Sequence, residues 1–169
     1  MTGALAATNL HAFATEWVDC VPHYPTLITL ARQAKTVIEW GVRGGVSTWA
    51  LLDGLPEDGH LWSVDIIDCV VPPRVSEDPR WTFLVGDDLD PAIQAQLPSE
   101  ADLIFIDTSH TYEQTVAELA LAAQLTSKIA LHDYALDEVK RAVDEFCVRE
   151  GWHVAIHERS QWGFAVLEP

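Results

Sequence analysis

The hydrophobic pattern of this chain alternates between short continuous apolar runs and longer stretches with helical spacing. Five runs, Thr36–Trp40, His60–Asp65, Trp81–Val85, Asp102–Asp107 and Lys128–His132, are rich in β-branched and apolar residues and predict buried strands. Between and after them, Val46–Leu52, a short stretch around Pro91–Gln96, Tyr112–Leu125 and Leu136–Glu150 predict helices. In the last of these Val139, Val143, Phe146 and Cys147 share one face. Thr111, with Gln114 three residues on, has the spacing of a capping box. Ahead of the first strand, Ala4–Val18 places Leu5, Leu10, Phe13, Trp17 and Val18 near one helical face. A Pro-containing break at Val21–Pro25 follows, and then a short predicted helix at Thr26–Ala34. Trp152–His157 and Gly163–Leu167 read as a closing hairpin, and the breaker-rich stretch Val71–Arg80 reads as a loop.

Strand–helix alternation of this kind predicts an α/β, Rossmann-like doubly wound fold. Its sheet is mainly parallel and seven-stranded, with helices on both faces and a C-terminal antiparallel hairpin. In such a sheet ligands bind beyond the carboxyl ends of the strands, at the switch point. The residues to weigh are therefore those just after each strand, and four of the five strand ends carry an aspartate: Asp65, Asp87, Asp107 and Asp133.

The first strand runs into Glu39-Trp40-Gly41-Val42-Arg43-Gly44-Gly45-Val46-Ser47. Gly41 permits a tight turn, and Gly45 lets the helix start approach a ligand closely. Open N–H groups at that helix start favour an anionic group such as a carboxylate. The order E-x-G-x-x-x-G is neither the dinucleotide fingerprint nor a phosphate loop. An acid before the glycines suits a ligand carrying an amino group or a positive charge. Asp65, ending the second strand, is placed to accept ribose hydroxyls, and Asp87, after the third, to meet an adenine amino group. Either aspartate is equally able to serve as a turn or cap residue.

After the fourth and fifth strands stand Asp107-Thr108-Ser109-His110-Thr111-Tyr112-Glu113 and His132-Asp133-Tyr134. Neighbouring strands would bring Asp107, His110, His132 and Asp133 to one rim. Two carboxylates with one or two imidazoles can hold a divalent cation. A cation there would hold substrate oxygens and acidify a hydroxyl, leaving a neighbouring side chain to take the proton. The competing readings are a helix cap for Asp133 and a loop contact for His110.

These motifs together resemble the class I S-adenosylmethionine-dependent methyltransferases: Glu39–Ser47, Ser63-Val64-Asp65, Gly86-Asp87-Asp88 and Asp102–Asp107, over residues 36 to 167. The resemblance implies that the loop at Gly41–Gly45 contacts the methionine part of the cofactor. It also implies that Asp65 holds the ribose and that Asp87 borders the adenine. The cofactor-binding set is then Glu39, Gly41, Gly45, Ser47, Asp65 and Asp87. I-D-x-x-H-x-Y-E followed by H-D is similar to the small-molecule branch, which includes macrolide and aminocoumarin sugar O-methyltransferases and cephalosporin-hydroxylase-like proteins. That branch implies a metal on Asp107, His132 and Asp133, with Asp107 also placed to act as base; His110 beside it is the other candidate for the catalytic proton acceptor. His132 departs from it, standing where an acid is usual. This shifts the expected ion from Mg²⁺ toward Mn²⁺, Fe²⁺ or Zn²⁺. Leu125-Thr126-Ser127-Lys128 replaces the usual Pro-Gly-Gly turn. The resemblance divides the chain into an N-terminal helical lid segment, residues 1–35, and an S-adenosylmethionine-binding methyltransferase domain, residues 36–169.

Composition narrows the partners. The chain carries 26 acidic and 10 basic residues, a formal net charge of -16, which repels nucleic-acid backbones and anionic membranes. The 3 cysteines include no CxxC pair, which fits a reduced compartment. No basic residue precedes Arg32 and no apolar run would cross a bilayer, so a soluble, cytoplasmic protein is expected. The expected partner is a small-molecule acceptor, and a homo-oligomer is left open. Two further functions stay open: a non-catalytic S-adenosylmethionine- or nucleoside-binding module, and, against the loop pattern, an NAD(P)-dependent oxidoreductase. His11, His23, His60, His153 and His157 have no partner spacing in the sequence, and Trp40 borders the cofactor loop.

Overall fold

Each parallel strand is four to six residues long and apolar on both faces, as a strand covered by helices on two sides must be. The computed structural model describes residues 20–159 and 162–169. The helix expected over 4–18 lies outside them. A 3-10 turn at Val21–His23 leads into α1 (Tyr24–Ala31). The elements then run β1 (Thr36–Trp40), α2 (Val46–Gly54), β2 (His60–Asp65), α3 (Pro73–Ser76), β3 (Trp81–Val85), α4 (Pro91–Gln94) and β4 (Leu103–Ile106). They close with α5 (Tyr112–Leu125), β5 (Ile129–His132), α6 (Asp137–Glu150), β6 (His153–Glu158) and β7 (Phe164–Glu168).

The strands form one seven-stranded sheet in the order β3-β2-β1-β4-β5-β7-β6. The first five pair in parallel, while β7 runs antiparallel to β5 and to β6. Alternation of side chains along each strand splits the core in two. On one face Val37, Leu61, Leu103, Phe105 and Phe164 pack with α1 and α2. On the other Ile38, Trp40, Ile104, Ile106 and Leu131 pack with Leu119 of α5 and Val139, Val143 and Phe146 of α6. This is the expected doubly wound architecture. Trp40 is wholly buried in the second cluster and does not reach a ligand-accessible surface.

The differences from the expected elements are local. The break at 21–25 is helical in large part, because Pro25 occupies the first turn of α1, where its missing N–H has no partner to lose. Tyr24, Leu27, Leu30 and Ala31 of α1 are buried against α2 in the core. Asp102 is not part of β4. Its Oδ2 accepts the Lys35 and Thr36 N–H groups at 2.8 and 2.9 Å and fastens the start of β1. The 71–80 stretch contains the one-turn α3, whose Val75 is buried. Thr111 caps α5, its Oγ1 accepting the Gln114 N–H at 3.4 Å, while the Gln114 side-chain amide donates to Asp88 and Glu118. β1 is the strand where the sheet order reverses, with β2 on one side and β4 on the other. Ligand geometry is decided just beyond its carboxyl end.

Candidate active site

The loop after β1 is built on a buried acid. Glu39 is fully buried. Its Oε1 accepts Ser47 Oγ at 2.7 Å, and its Oε2 accepts Thr48 Oγ1 at 2.8 Å and Ser63 Oγ at 2.6 Å. Ser63 Oγ also accepts the Trp81 indole N–H at 2.9 Å. Burial pushes the Glu39 carboxyl up to about 7, against the pull of the hydroxyls. Glu39 and Ser47, both expected to touch a cofactor, are thus bonded to each other behind the loop. They tie β1, α2 and β2 together, and neither lines the cavity in front.

That cavity has a volume of about 370 Å³ and opens beyond β1, β2, β3 and β4. Of the expected cofactor residues, Gly41, Asp65 and Asp87 line it. Gly45 does not: with φ of 76° it turns the chain into α2, and an added Cβ would come within 2.9 Å of Val71 Cγ1. Gly41, with φ of 91°, is more constrained still. An added Cβ would overlap the Asp107 carbonyl and come within 2.7 Å of its carbon. Asp65 Oδ2 accepts the Val42 and Arg43 N–H groups at 2.8 and 3.0 Å, and Oδ1 accepts Ile67 N–H at 3.1 Å. Burial would raise the Asp65 carboxyl, but these N–H donors hold it below the ordinary carboxylate value. It therefore fixes the glycine loop, with about one lone pair, on Oδ1, left over for a ligand. Asp87 Oδ1 accepts Leu89 N–H at 2.9 Å, an Asx turn.

Asp88 and Gln114, to which the sequence assigned no ligand role, also line the cavity. Asp88 is buried and accepts Gln114 Nε2–H at 3.1 Å, and the same amide donates to Glu118 Oε1 at 2.9 Å. Burial of both acids raises Asp88 and Glu118 together.

Beside the cavity the ends of β4 and β5 bring four groups to one point. His110 Nε2 lies 3.3 Å from Asp107 Oδ1 and 2.7 Å from Asp133 Oδ2. His132 Nδ1 lies 2.8 Å from Asp133 Oδ2 and 3.6 Å from Asp107 Oδ1. Asp107 and Asp133 hold His110 up to about 9. His132 rises to about 10, since its two acids outweigh the burial that opposes its charge. Burial opposes ionisation of both acids, yet the imidazoles keep Asp107 and Asp133 well below the usual carboxylate range. Asp133 does not cap α6, whose N-cap is Leu136 with no side-chain bond. Among the described residues, the non-glycine residues with positive φ are Arg43 (52°), His110 (58°) and Asp133 (60°), and all three flank this site. Such backbone costs on the order of 1–3 kcal/mol each and gathers at functional sites. The Trp162 carbonyl accepts Ala135 N–H at 2.7 Å and braces the loop that carries Asp133.

The metal-ligating set expected from sequence was Asp107, His132 and Asp133. Asp107, His110 and Asp133 also form a donor set, one atom from each within 4.8 Å of the others. The left-handed turn at His110 folds its ring back onto Asp107, at the rim where the sequence expected it. His132 remains a neighbour of both acids.

A methyltransferase-domain family matches residues 38–134, from β1 through Asp133 to Tyr134. Three solved structures share the fold. A Corynebacterium glutamicum protein has 18% identity and a TM-score of 0.72, covering 99% of this chain and 91% of its own. An O-methyltransferase from Bacillus cereus, in complex with SAH, has 18% identity and a TM-score of 0.67, covering 98% and 87%. The O-methyltransferase TomG from Streptomyces achromogenes, involved in tomaymycin synthesis and in complex with SAM, has 18% identity and a TM-score of 0.67, covering 96% and 88%. No curated protein matches the sequence significantly. No described helix is long and apolar enough to cross a membrane.

Proposed function

The chain belongs to the methyltransferase-domain family, and on that premise we propose that it moves the methyl group of S-adenosylmethionine to a hydroxyl oxygen of a small molecule. The observation that carries this reading is the double position of Asp107. It lines the 370 Å³ cavity and is also a member of the neighbouring Asp–His cluster, so one residue borders both reactants.

In this reading Asp65 accepts a hydroxyl of the ribose on Oδ1. Gly41 and Arg43, which line the cavity, border the methionine end, and Asp87 and Asp88 border the base. Glu39, Ser47 and Gly45 hold the loop in shape without touching the ligand. Asp107 and His110 stand where the acceptor's proton must go. Transfer is an in-line displacement to which the protein contributes alignment and nucleophile activation.

The cluster fits a divalent cation. Two carboxylate oxygens and one imidazole nitrogen within 4.8 Å of one another can share one ion, and His132 stands ready as a fourth donor. Imidazole in the set favours Mn²⁺, Fe²⁺ or Zn²⁺ over Mg²⁺. When bound, such an ion lowers the pKa of a coordinated hydroxyl and orients it. With or without it, Asp107, His110 and Asp133 confine the acceptor oxygen to the rim next to the cavity.

Titration calorimetry with S-adenosylhomocysteine tests the cofactor claim, and an absence of heat at millimolar ligand would refute it. Turnover against a panel of hydroxylated small molecules, read by mass spectrometry, tests the reaction. Loss of turnover in a chelator, restored by Mn²⁺, supports the ion, and unchanged turnover removes it. The expected partner is a small molecule, since a formal net charge of -16 repels nucleic-acid backbones and anionic membranes, and the cytoplasm is the location that fits cysteines without a CxxC pair.

A further inference from the structure

One polar pair, a buried imidazole on a half-buried carboxylate, lies outside the site described above. His23, in the 3-10 turn before α1, is fully buried, and its Nδ1 stands 2.6 Å from Glu158 Oε2 at the end of β6. Glu158 Oε1 accepts the Thr26 hydroxyl from α1. Two residues of the first helical segment therefore bind both oxygens of one carboxylate from the far edge of the sheet. The His23 ring stacks on Phe164, centroids 5.0 Å apart and planes 19° apart. It meets the His132 ring edge-on at 5.4 Å and 68°. Phe164 is also the strand partner of His132 across β5 and β7.

An imidazole has a broad second torsion, so rotamer preference alone does not fix where its nitrogens point. His132 nevertheless holds Nδ1 at 2.8 Å from Asp133 and 3.6 Å from Asp107. The ring packed on its edge is one that cannot turn without breaking its bond to Glu158. A buried imidazole is a costly way to fill space, since it must keep a hydrogen-bond partner that an apolar ring of equal volume would not need. A directional role accounts for its presence.

We propose that His23, anchored by Glu158, is a positioning residue that sets the ring angle of His132 and, through it, the placement of Asp133 and Asp107. The proposal rests on reading the cluster as the centre that activates the acceptor. It assigns His23 no contact with substrate, since His23 does not line the cavity.

The experiment compares His23→Phe, Glu158→Ala and Glu158→Gln with the wild-type chain, each loaded with S-adenosylhomocysteine for binding and studied metal-free by nitrogen–proton NMR of the histidine rings. His23→Phe keeps a ring of similar size and loses the anchor. It is expected to shift the His132 ring resonances and to lower kcat about 10- to 100-fold, the usual cost of losing an outer partner of a site histidine. KM for S-adenosylmethionine and affinity for S-adenosylhomocysteine stay unchanged. Glu158→Ala reproduces this, and Glu158→Gln, which still offers an oxygen to the His23 N–H, recovers a large part of kcat. His132 resonances and kcat at wild-type values in a folded His23→Phe chain would overturn the proposal. Where His23→Phe fails to fold, the Glu158 pair decides on the same readouts. A wild-type chain that binds the nucleoside but transfers no methyl group refutes the proposed reaction, and the His132 resonances still decide the positioning.

Discussion

Replacing Glu39 by Gln separates a loop-holding acid from a ligand-binding one, and its magnitude follows from the structure. The carboxyl is fully buried and raised by that burial from an ordinary 4.5 to about 7, even though Ser47, Thr48 and Ser63 all donate to it. Because the folded value exceeds the unfolded one, the folded protein holds the extra proton. Stability from this residue is complete below pH 4.5 and is lost as pH rises through 7. At about 1.4 kcal/mol per unit the loss amounts to about 3 kcal/mol. Gln is an uncharged isostere of the protonated acid. Its amide mismatches one hydroxyl, at a cost of about 1 kcal/mol, but it never ionises. Glu39→Gln is therefore expected to match the wild type near pH 5 and to exceed it by about 2 kcal/mol at pH 8, a rise in Tm of roughly 4–8 °C for a chain of this size. Thermal unfolding by circular dichroism at the two pH values measures this. Calorimetry with S-adenosylhomocysteine at pH 8 should show retained affinity, since the side chain stands behind the loop. A variant less stable than wild type at pH 8, or one whose difference from wild type does not change with pH, refutes the burial argument. Loss of nucleoside binding in a variant that folds normally would restore Glu39 to the ligand surface.

Three further substitutions probe the front of the site. Gly41→Ala forces a Cβ onto the Asp107 carbonyl at a left-handed residue, so chemical denaturation should show a loss of about 2–4 kcal/mol and calorimetry no nucleoside binding. Asp65→Asn keeps the shape but weakens three N–H bonds and the proposed ribose contact. Its affinity for S-adenosylhomocysteine should fall about 10- to 100-fold, and an unchanged Kd would remove the ribose assignment. Asp133→Asn takes a full charge from both His110 and His132, so both imidazoles should titrate at lower pH by NMR while nucleoside affinity, read by calorimetry, holds.

The middle of the fold was legible because its strands are short, apolar on both faces and separated by amphipathic helices, a pattern with few topological solutions. The same rule placed Asp65, Asp87 and Asp107 at the ligand rim, since a residue ending a parallel strand can stand nowhere else. Roles were harder to read than positions. Glu39 and Ser47 carry a familiar spacing, yet nothing in the sequence says whether the acid points forward to a ligand or back to a ring of hydroxyls. Thr48 and Ser63, which settle the matter, look like ordinary helix and strand residues. His110 entered the cluster through a left-handed backbone that non-glycine residues seldom adopt. His23 had no local signal at all. Its partners, Glu158 and His132, lie more than a hundred positions away and meet it only when α1 docks on the sheet. The same long-range docking hid Gln114, which the sequence marks as a cap residue and the structure turns toward Asp88.

The site owes its accuracy to the pairing of β1 with β4. Gly41 follows β1 and Asp107 follows β4, and the two strands run parallel in direct register. Asp107 N–H donates to the Trp40 carbonyl at 2.8 Å, and Gly41 N–H to the Val64 carbonyl at 2.9 Å, so the ladder continues one step past each strand end. No side chain fits between Gly41 and the Asp107 carbonyl. The loop proposed to grip the methyl donor and the acid proposed to meet the acceptor are therefore joined by main chain, one residue beyond the ends of two adjacent buried strands. Methyl transfer needs donor carbon and acceptor oxygen within a few tenths of an ångström of their reacting separation. Side chains on mobile loops hold such a tolerance poorly, whereas adjacent central strands hold it by default. Specificity for the acceptor can then vary in the surrounding loops without disturbing the alignment, because nothing in those loops sets the distance between Gly41 and Asp107.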